Sequence, residues 1–486
     1  MRKGRITVLA TGVTALCASV TAIVGSVGSA GPAAARPDGT AVASTPRIIV
    51  TPGALHMGEA TQAPPSTAYC SRNYGIACYA PSQIRSAYNL APVYANKVTG
   101  KGQTIAVVDS FGSPTIVHDL SVFDKAFGLP APPSFKIVTP AGKIPRWNAA
   151  NSDMAGWGQE TTLDVEWAHA IAPGANIVLV ETPVSETEGV TGFPQIVQAE
   201  DYIIKNMHVD VISQSFSATE ETFTGGLAQI DKHNLRTAYE RAASPRNDIT
   251  VLAAAGDDGA TDVGLNQVTY YTRPVTSWPD SDPLVTGVGG TQVIEGGHHN
   301  YRQVAWNDTR NAAAQEFIFG DPGPSPLAGG GVSTLFSRPA YQRGVAPGEG
   351  DHRLVPDVSM SASCSGAVDT YQSFPADGAA AGWYPACGTS EATPEFAGIV
   401  ALADQVARHP LGLINPALYR LSERKAPGIV DITSGNNTVT FTQGDPQATS
   451  TVRGFDAGSG YDLATGVGTV NAAYFVYELA GKTPPK

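Results

Sequence analysis

The sequence is short of charge and, within its charge, short of cations. Asp, Glu, Lys and Arg make up 15% of its 486 residues, and 31 Lys and Arg face 43 Asp and Glu, a formal net charge of −12. That balance excludes a polycation that seeks nucleic acid. Low hydrophobicity is also missing: 42% of the residues are apolar, enough for a large core, which excludes a disordered chain. Cysteine is scarce, and the five present form no C-x2-C pattern, nor is there an H-x3-H spacing, so a zinc site has no support. Internal repeats are absent. Gly (52) and Pro (36) are plentiful but show no collagen-like period, and read as turns in a large globular domain.

The first residues set the expected compartment. Arg2, Lys3 and Arg5 precede an uncharged stretch, Ile6 to Ala35, with small-residue cleavage points after Ala30 or Ala35. This is the pattern of a secretory signal, and its Thr, Ser and Gly dilute it below the roughly 20 strongly apolar residues of a stable membrane span. Removing the three basic residues, with no acidic ones, takes the net charge from −12 to −15. Cys17 leaves with the signal, so Cys70, Cys78, Cys364 and Cys387 remain in an oxidising compartment. Of three possible connectivities, loop-closure cost favours Cys70 with Cys78 and Cys364 with Cys387. Residues 36–68, rich in Pro, Ala, Thr, Ser and Gly, read as a leader or linker, and the folded domain is expected over 69–486.

Within that domain short apolar runs alternate with segments of helical length. Thr104 to Val108, Asn176 to Val180, Val209 to Ile212, Ile249 to Ala255 and Leu284 to Val288 read as buried strands. Gln159 to Ile171, Pro194 to Asn206 and Pro394 to Ala407 read as helices. Such alternation predicts an α/β fold, a parallel sheet with helices on both faces. Residues 430–468, rich in Gly, Thr and Asn, read as loops with short strands.

Cys387-Gly388-Thr389-Ser390, followed by Pro394, places a serine at the start of a helix, where the positive helix end suits a nucleophile whose attack creates an oxyanion. The chain order of subtilisin-type hydrolases is Asp, His, Ser. Thr104 to Asp109 looks like their first catalytic strand and Val251 to Asp257 like the strand feeding their oxyanion hole, yet the histidine is missing from the helix between. Its place holds Glu160, with Asp164 four residues on, one helical turn away on the same face and close enough to share a proton. The only histidine nearby, His169, lies about two and a half turns too far along and reads as a packed or capping residue. At the oxyanion position stands Asp257, which donates a hydrogen bond only when protonated. Both departures make sense at low pH.

Taken together, these segments resemble the sedolisins, serine-carboxyl peptidases with a subtilisin-like fold. Val288 to Thr291, Gly329 to Gly331, Pro339 to Gln342 and Pro356 to Ser359 extend the likeness over nearly all of residues 69–480. The resemblance implies Ser390 as nucleophile, Glu160 as general base and acid, Asp164 as its orienting partner and Asp257 as oxyanion stabiliser; Asp109 is expected to be structural. It also implies one structural Ca2+ ion, held by Asp431, Asp462 and the backbone carbonyls of Ile432, Gly458 and Gly460, hard oxygen donors of the kind calcium takes. Glu391 departs from the small residue usual after the nucleophile, and His298-His299 reads as a polar loop. Sedolisins commonly carry a long folded propeptide, and the short stretch before residue 69 is too small for one. The function expected is a secreted, acid-acting endopeptidase, monomeric, free of the membrane after signal cleavage, with protein or peptide substrates. The alternative is a non-catalytic extracellular binding protein on a peptidase fold.

Overall fold

The computed structural model describes residues 61–297, 300–311, 327–375, 380–444 and 446–485. The expected signal segment, most of the expected linker, and His298-His299 lie outside them.

An eight-stranded sheet forms the centre. In chain order its strands are β1 (Thr104–Ser110), β2 (Phe135–Val138), β3 (Asn176–Thr182), β4 (Val211–Gln214), β5 (Thr250–Ala254), β6 (Thr286–Glu295), β7 (Tyr301–Ala305) and β8 (Val358–Ser361). They run in the order β7-β6-β5-β4-β1-β3-β2, with β8 also paired to β6. All pairings are parallel except β6 with β7, where Tyr301 faces Glu295 and Ala305 faces Thr291. β1 is buried along its whole length, as a parallel strand covered on both faces must be.

The two-residue period of a strand decides which helices cover which face. Ile105, Val107, Ile177, Leu179, Val211 and Leu252 belong to one apolar cluster together with Leu163, Trp167, Ile171, Phe396 and Val400. Their neighbours Ala106, Val108, Val178, Val180, Ile212 and Val251 belong to another, with Phe193, Ile196, Ile203 and Tyr239. The first face is covered by α1 (Ile116–Phe127), α2 (Ser152–Ile171), α4 (Thr389–Ala407) and α5 (Ala472–Leu479), and the second by α3 (Phe193–Asn206) and the short helix Thr237–Ala242. The expected α/β architecture is the one observed.

Two helices start earlier than their composition suggests. α2 begins at Ser152, where Asn151 accepts a hydrogen bond from the Met154 amide; Gly156 and Gly158 disguise its first two turns in the sequence. Gly158 is there for space, since a Cβ would fall 2.8 Å from Trp147 and 3.1 Å from Phe374. α4 begins at Thr389 and so contains Pro394. Proline has no N–H to give to the carbonyl four residues back, which is that of Ser390. The Ser215 hydroxyl approaches this carbonyl instead, at 3.4 Å. β6 runs to Glu295, well past the expected Val288, because its far half pairs with β7 and β8.

Both disulfides have the expected pairing, Cys70–Cys78 and Cys364–Cys387. The first ties a helix, Thr67–Asn73, to a short strand, Ala77–Tyr79. The second anchors the chain just before Gly388. In the 430–468 section the strands Val439–Gln443 and Ala448–Val452 form an antiparallel hairpin, and Val430 pairs with Thr469.

Candidate active site

Five carboxyl or hydroxyl residues from four elements meet at the C-terminal ends of the central strands. Asp109 is next to last in β1; Asp257 follows β5 through Gly256; Glu160 and Asp164 project from one face of α2; and Ser390 is the second residue of α4. Glu160, Asp164, Asp109 and Ser390 are all at most 6% exposed.

The Ser390 hydroxyl faces the Glu160 carboxyl and favours its charged form. Asp164 accepts a hydrogen bond from the Ser215 hydroxyl at 2.8 Å and faces Asp109, which also faces Thr161. Asp257 Oδ1 accepts two hydrogen bonds of 2.7 Å, from the Thr389 amide and the Thr389 hydroxyl. Close backbone approaches complete the wall. A Cβ on Gly329 would lie 1.9 Å from the Ala255 carbonyl oxygen, and one on Gly330, at φ +156°, would lie 2.3 Å from that of Leu463. This is the physical content of the Gly329-Gly330-Gly331 run.

No cationic side chain figures among the influences on these carboxyls. Burial pushes all four upward, because a low-dielectric site disfavours the charged form. Asp257 rises to about 6 by burial, against its two bonds from Thr389. Asp109 rises to about 7, chiefly by burial. Glu160 stands well above the usual carboxyl range through burial, opposed by the Ser390 hydroxyl and reinforced by the charges of Asp109 and Asp257. Asp164 is raised by burial, then by Asp109 and Glu160. The charge of Asp109 raises both Glu160 and Asp164, and that of Glu160 raises Asp164, so these groups titrate as a set.

Thus the structure brings Ser390, Glu160, Asp164 and Asp257 together and adds Asp109 through Asp164. Three partners escaped the sequence reading: Ser215, Thr161 and Thr389. Ser215 carries a weak signal, a hydroxyl just past the end of a buried strand. His169, buried near the end of α2, lies 2.8 Å from the Pro130 carbonyl and 3.2 Å from Asp124, a packed histidine.

Of the expected calcium ligands, Asp431 and Asp462 reach the same turn. Asp431 Oδ2 accepts from the Gly460 amide and Asp462 Oδ2 from the Gly458 amide, both at 2.9 Å, which ties two distant carboxylates to one turn. Asp462 Oδ1 is held by the Ala464 and Thr465 amides and the Thr465 hydroxyl. Among the described residues no group of three or more His, Cys, Asp or Glu is placed to hold a metal. The donor set is therefore two carboxylates plus main-chain oxygens, which in kind suits a hard cation and no softer one.

Sheet order, strand-end carboxylates and a helix-borne serine define a subtilisin-like scaffold. The chain belongs to the subtilase family, whose model matches residues 148–445. Kumamolisin of Bacillus sp. (strain MN-32) is 28% identical over 406 residues, covering 82% of this chain and 63% of that protein. Tripeptidyl-peptidase 1 of Mus musculus is 27% identical over 414 residues, covering 80% and 62%. The chain thus spans somewhat less than two thirds of these relatives' length. A solved structure of Pseudomonas sedolisin, a serine-carboxyl proteinase, shares the fold with a TM-score of 0.64 at 22% identity, over 84% of this chain and 98% of that one.

Proposed function

We propose that the protein is a secreted serine-carboxyl endopeptidase, active in acid, that cleaves protein or peptide substrates through an acyl-enzyme on Ser390. One observation carries the reading: a buried serine at the start of a helix faces a buried carboxyl, Glu160, whose charged form it favours and which stands among further buried carboxyls. The carboxyl set around Ser390 shares fewer protons than it has groups, and the form with its charge on Glu160, the one the Ser390 hydroxyl favours, takes the Ser390 Oγ proton as that oxygen attacks the scissile carbonyl carbon. The resulting oxyanion accepts a hydrogen bond from protonated Asp257, whose Oδ1 is already engaged with Thr389, leaving Oδ2 to carry the proton. Glu160 passes its proton to the leaving amine. Water then attacks the ester, Glu160 again acting as base, and the acid product leaves with Ser390 restored. Asp164, held by the Ser215 hydroxyl, orients Glu160, and Asp109 stands beside Asp164 in a structural role.

Calcium would be held by Asp431, Asp462 and the carbonyls of Ile432, Gly458 and Gly460. It would supply structural cross-linking of the 430–468 loops, remote from Ser390 in its chemistry. The apolar N-terminal stretch supports secretion, and no helix among the described residues is long and apolar enough to cross a membrane. The domain, 69–486, is taken to act as a monomer after removal of residues 1–35 as signal and with 36–68 as leader.

The test is cleavage of an unfolded, N-terminally blocked protein from about pH 3 to 8, with Ser390→Ala in parallel. Internal cleavage confined to acid and lost in the variant is expected. A neutral optimum would point to a different base, and activity retained by Ser390→Ala would remove the nucleophile assignment.

A further inference from the structure

Behind Ser390, on the side of α4 turned away from Glu160, lies a second carboxyl pair that the proposed reaction does not use. Glu391 and Glu395 are one helical turn apart, both are fully buried, and all four of their carboxyl oxygens lack a hydrogen-bond partner at normal distance. Their spacing puts them on one helix face, and each acts on the other's surroundings: Glu391 raises Glu395. The groups around them come from every neighbouring element. β8 offers Ser361, the Ala77–Tyr79 strand offers Tyr79, the segment after helix Pro81–Ala87 offers Tyr88 with Thr469 beside it, and Asp257 lies across the site. Tyr88 accepts the Ser361 amide at 2.6 Å, so its own proton is free to be given. None of these groups is a Lys, Arg or His.

Two carboxylates cannot remain ionised together in such a place. Burying an unpaired charge costs several kcal/mol, and a like charge within one turn adds to it. We propose that Glu391 and Glu395 share protons as an uncharged pair that seats α4, so that Ser390 keeps its register against Glu160 only while the pair is protonated. Both are positioning residues. The inference rests on the proposed reading of Ser390 for its catalytic consequence, whereas the seating itself does not.

The direction of the pH effect follows from burial, which raises both groups well above the ordinary carboxyl value. A carboxyl that holds its proton more tightly folded than unfolded costs nothing below the unfolded pKa and removes stability as pH climbs from there towards the folded pKa. The pair therefore weakens the fold as pH rises above about 4.5, near the ordinary Glu value.

The experiment uses the full chain carrying Ser390→Ala, which excludes self-digestion, and measures the unfolding temperature from about pH 3 to 8 with and without E391Q/E395Q. The amides cannot ionise, so the midpoint of the alkaline fall should move up by about one pH unit or more, with little change at pH 4. If the amide pair fails to fold, E391A/E395M removes the charges with apolar groups and should move the midpoint the same way. In the active chain carrying Asp257→Asn, whose oxyanion donor no longer titrates, E391Q/E395Q should carry the remaining alkaline limb of kcat upward with KM little changed. An unmoved unfolding midpoint in both variants would overturn the pair. A moved midpoint with an unmoved kcat limb would overturn its hold on Ser390. A chain without peptidase activity would leave the unfolding result standing as the decision on the pair, separate from the reading of the site.

Discussion

Gly388 stands so close to Asp257 that a Cβ on the glycine would fall 2.5 Å from Asp257 Oδ2, the oxygen that Thr389 leaves free. Its φ of +117° is one that L side chains rarely adopt. Gly388→Ala should therefore lower kcat/KM at least about 100-fold, the scale of losing an oxyanion donor, with a smaller loss of unfolding temperature. Steady-state kinetics beside a thermal melt would separate the two; unchanged kinetics would mean that Oδ2 does not face the reacting carbonyl.

Asp257 should set an alkaline limb. With its pKa near 6, it is a hydrogen-bond donor below that pH and a repelling anion above it, so kcat/KM should fall about tenfold per pH unit beyond about pH 6. Asp257→Asn donates from a neutral amide at all pH values. It should extend activity upward by about one unit or more, unless the Glu391–Glu395 pair imposes the lower limit, which a combined variant would reveal.

Ser390 and Glu160 face each other across the site, and in the proposed reaction they act as one unit. Ser390→Ala and Glu160→Gln should each cost roughly 10³- to 10⁶-fold in kcat, and the double variant should be no worse than Ser390→Ala alone. Additive losses would place the two residues in separate steps.

Ser215 binds Asp164 at 2.8 Å and approaches the Ser390 carbonyl that Pro394 leaves without a helical donor. Ser215→Ala should cost about 1–2 kcal/mol of stability, with a kcat loss of order tenfold. Urea unfolding and kinetics on the same preparations would check both.

Calcium, if held by Asp431 and Asp462, should raise the unfolding temperature in proportion to the logarithm of its concentration. Asp462→Asn should abolish that rise while leaving Ser390 reactive towards an active-site-directed reagent. Isothermal titration without heat of binding would remove the ion from the account.

Much of this arrangement was legible because parallel strands buried on both faces are written as short apolar runs, and β1, β3 and β5 fall where those runs lie. Glu160 and Asp164 were readable from their spacing of four. What escaped depends on tertiary contact. Edge strand β2 leaves Lys136 and Ile137 exposed between half-buried Phe135 and Val138, and so lacks a core pattern. Ser215 acquires its role from α2, far away in the chain. Glu395 was hidden by Pro394, which suggested that the helix began there, so its pairing with Glu391 one turn earlier went unread.

Gly398 lies where α4 crosses α2, and a Cβ there would fall 2.6 Å from the Cβ of Ile171. That crossing is about 12 Å along the helix from Ser390, at 1.5 Å per residue. Base and nucleophile thus belong to two rods clamped to each other deep in the main core, with neither carried on a loop. Helices held this way open only with the whole domain. The amides around Ser390 and Glu160 should exchange with solvent as slowly as the centre of the sheet, and heating should extinguish the site and the fold in a single event.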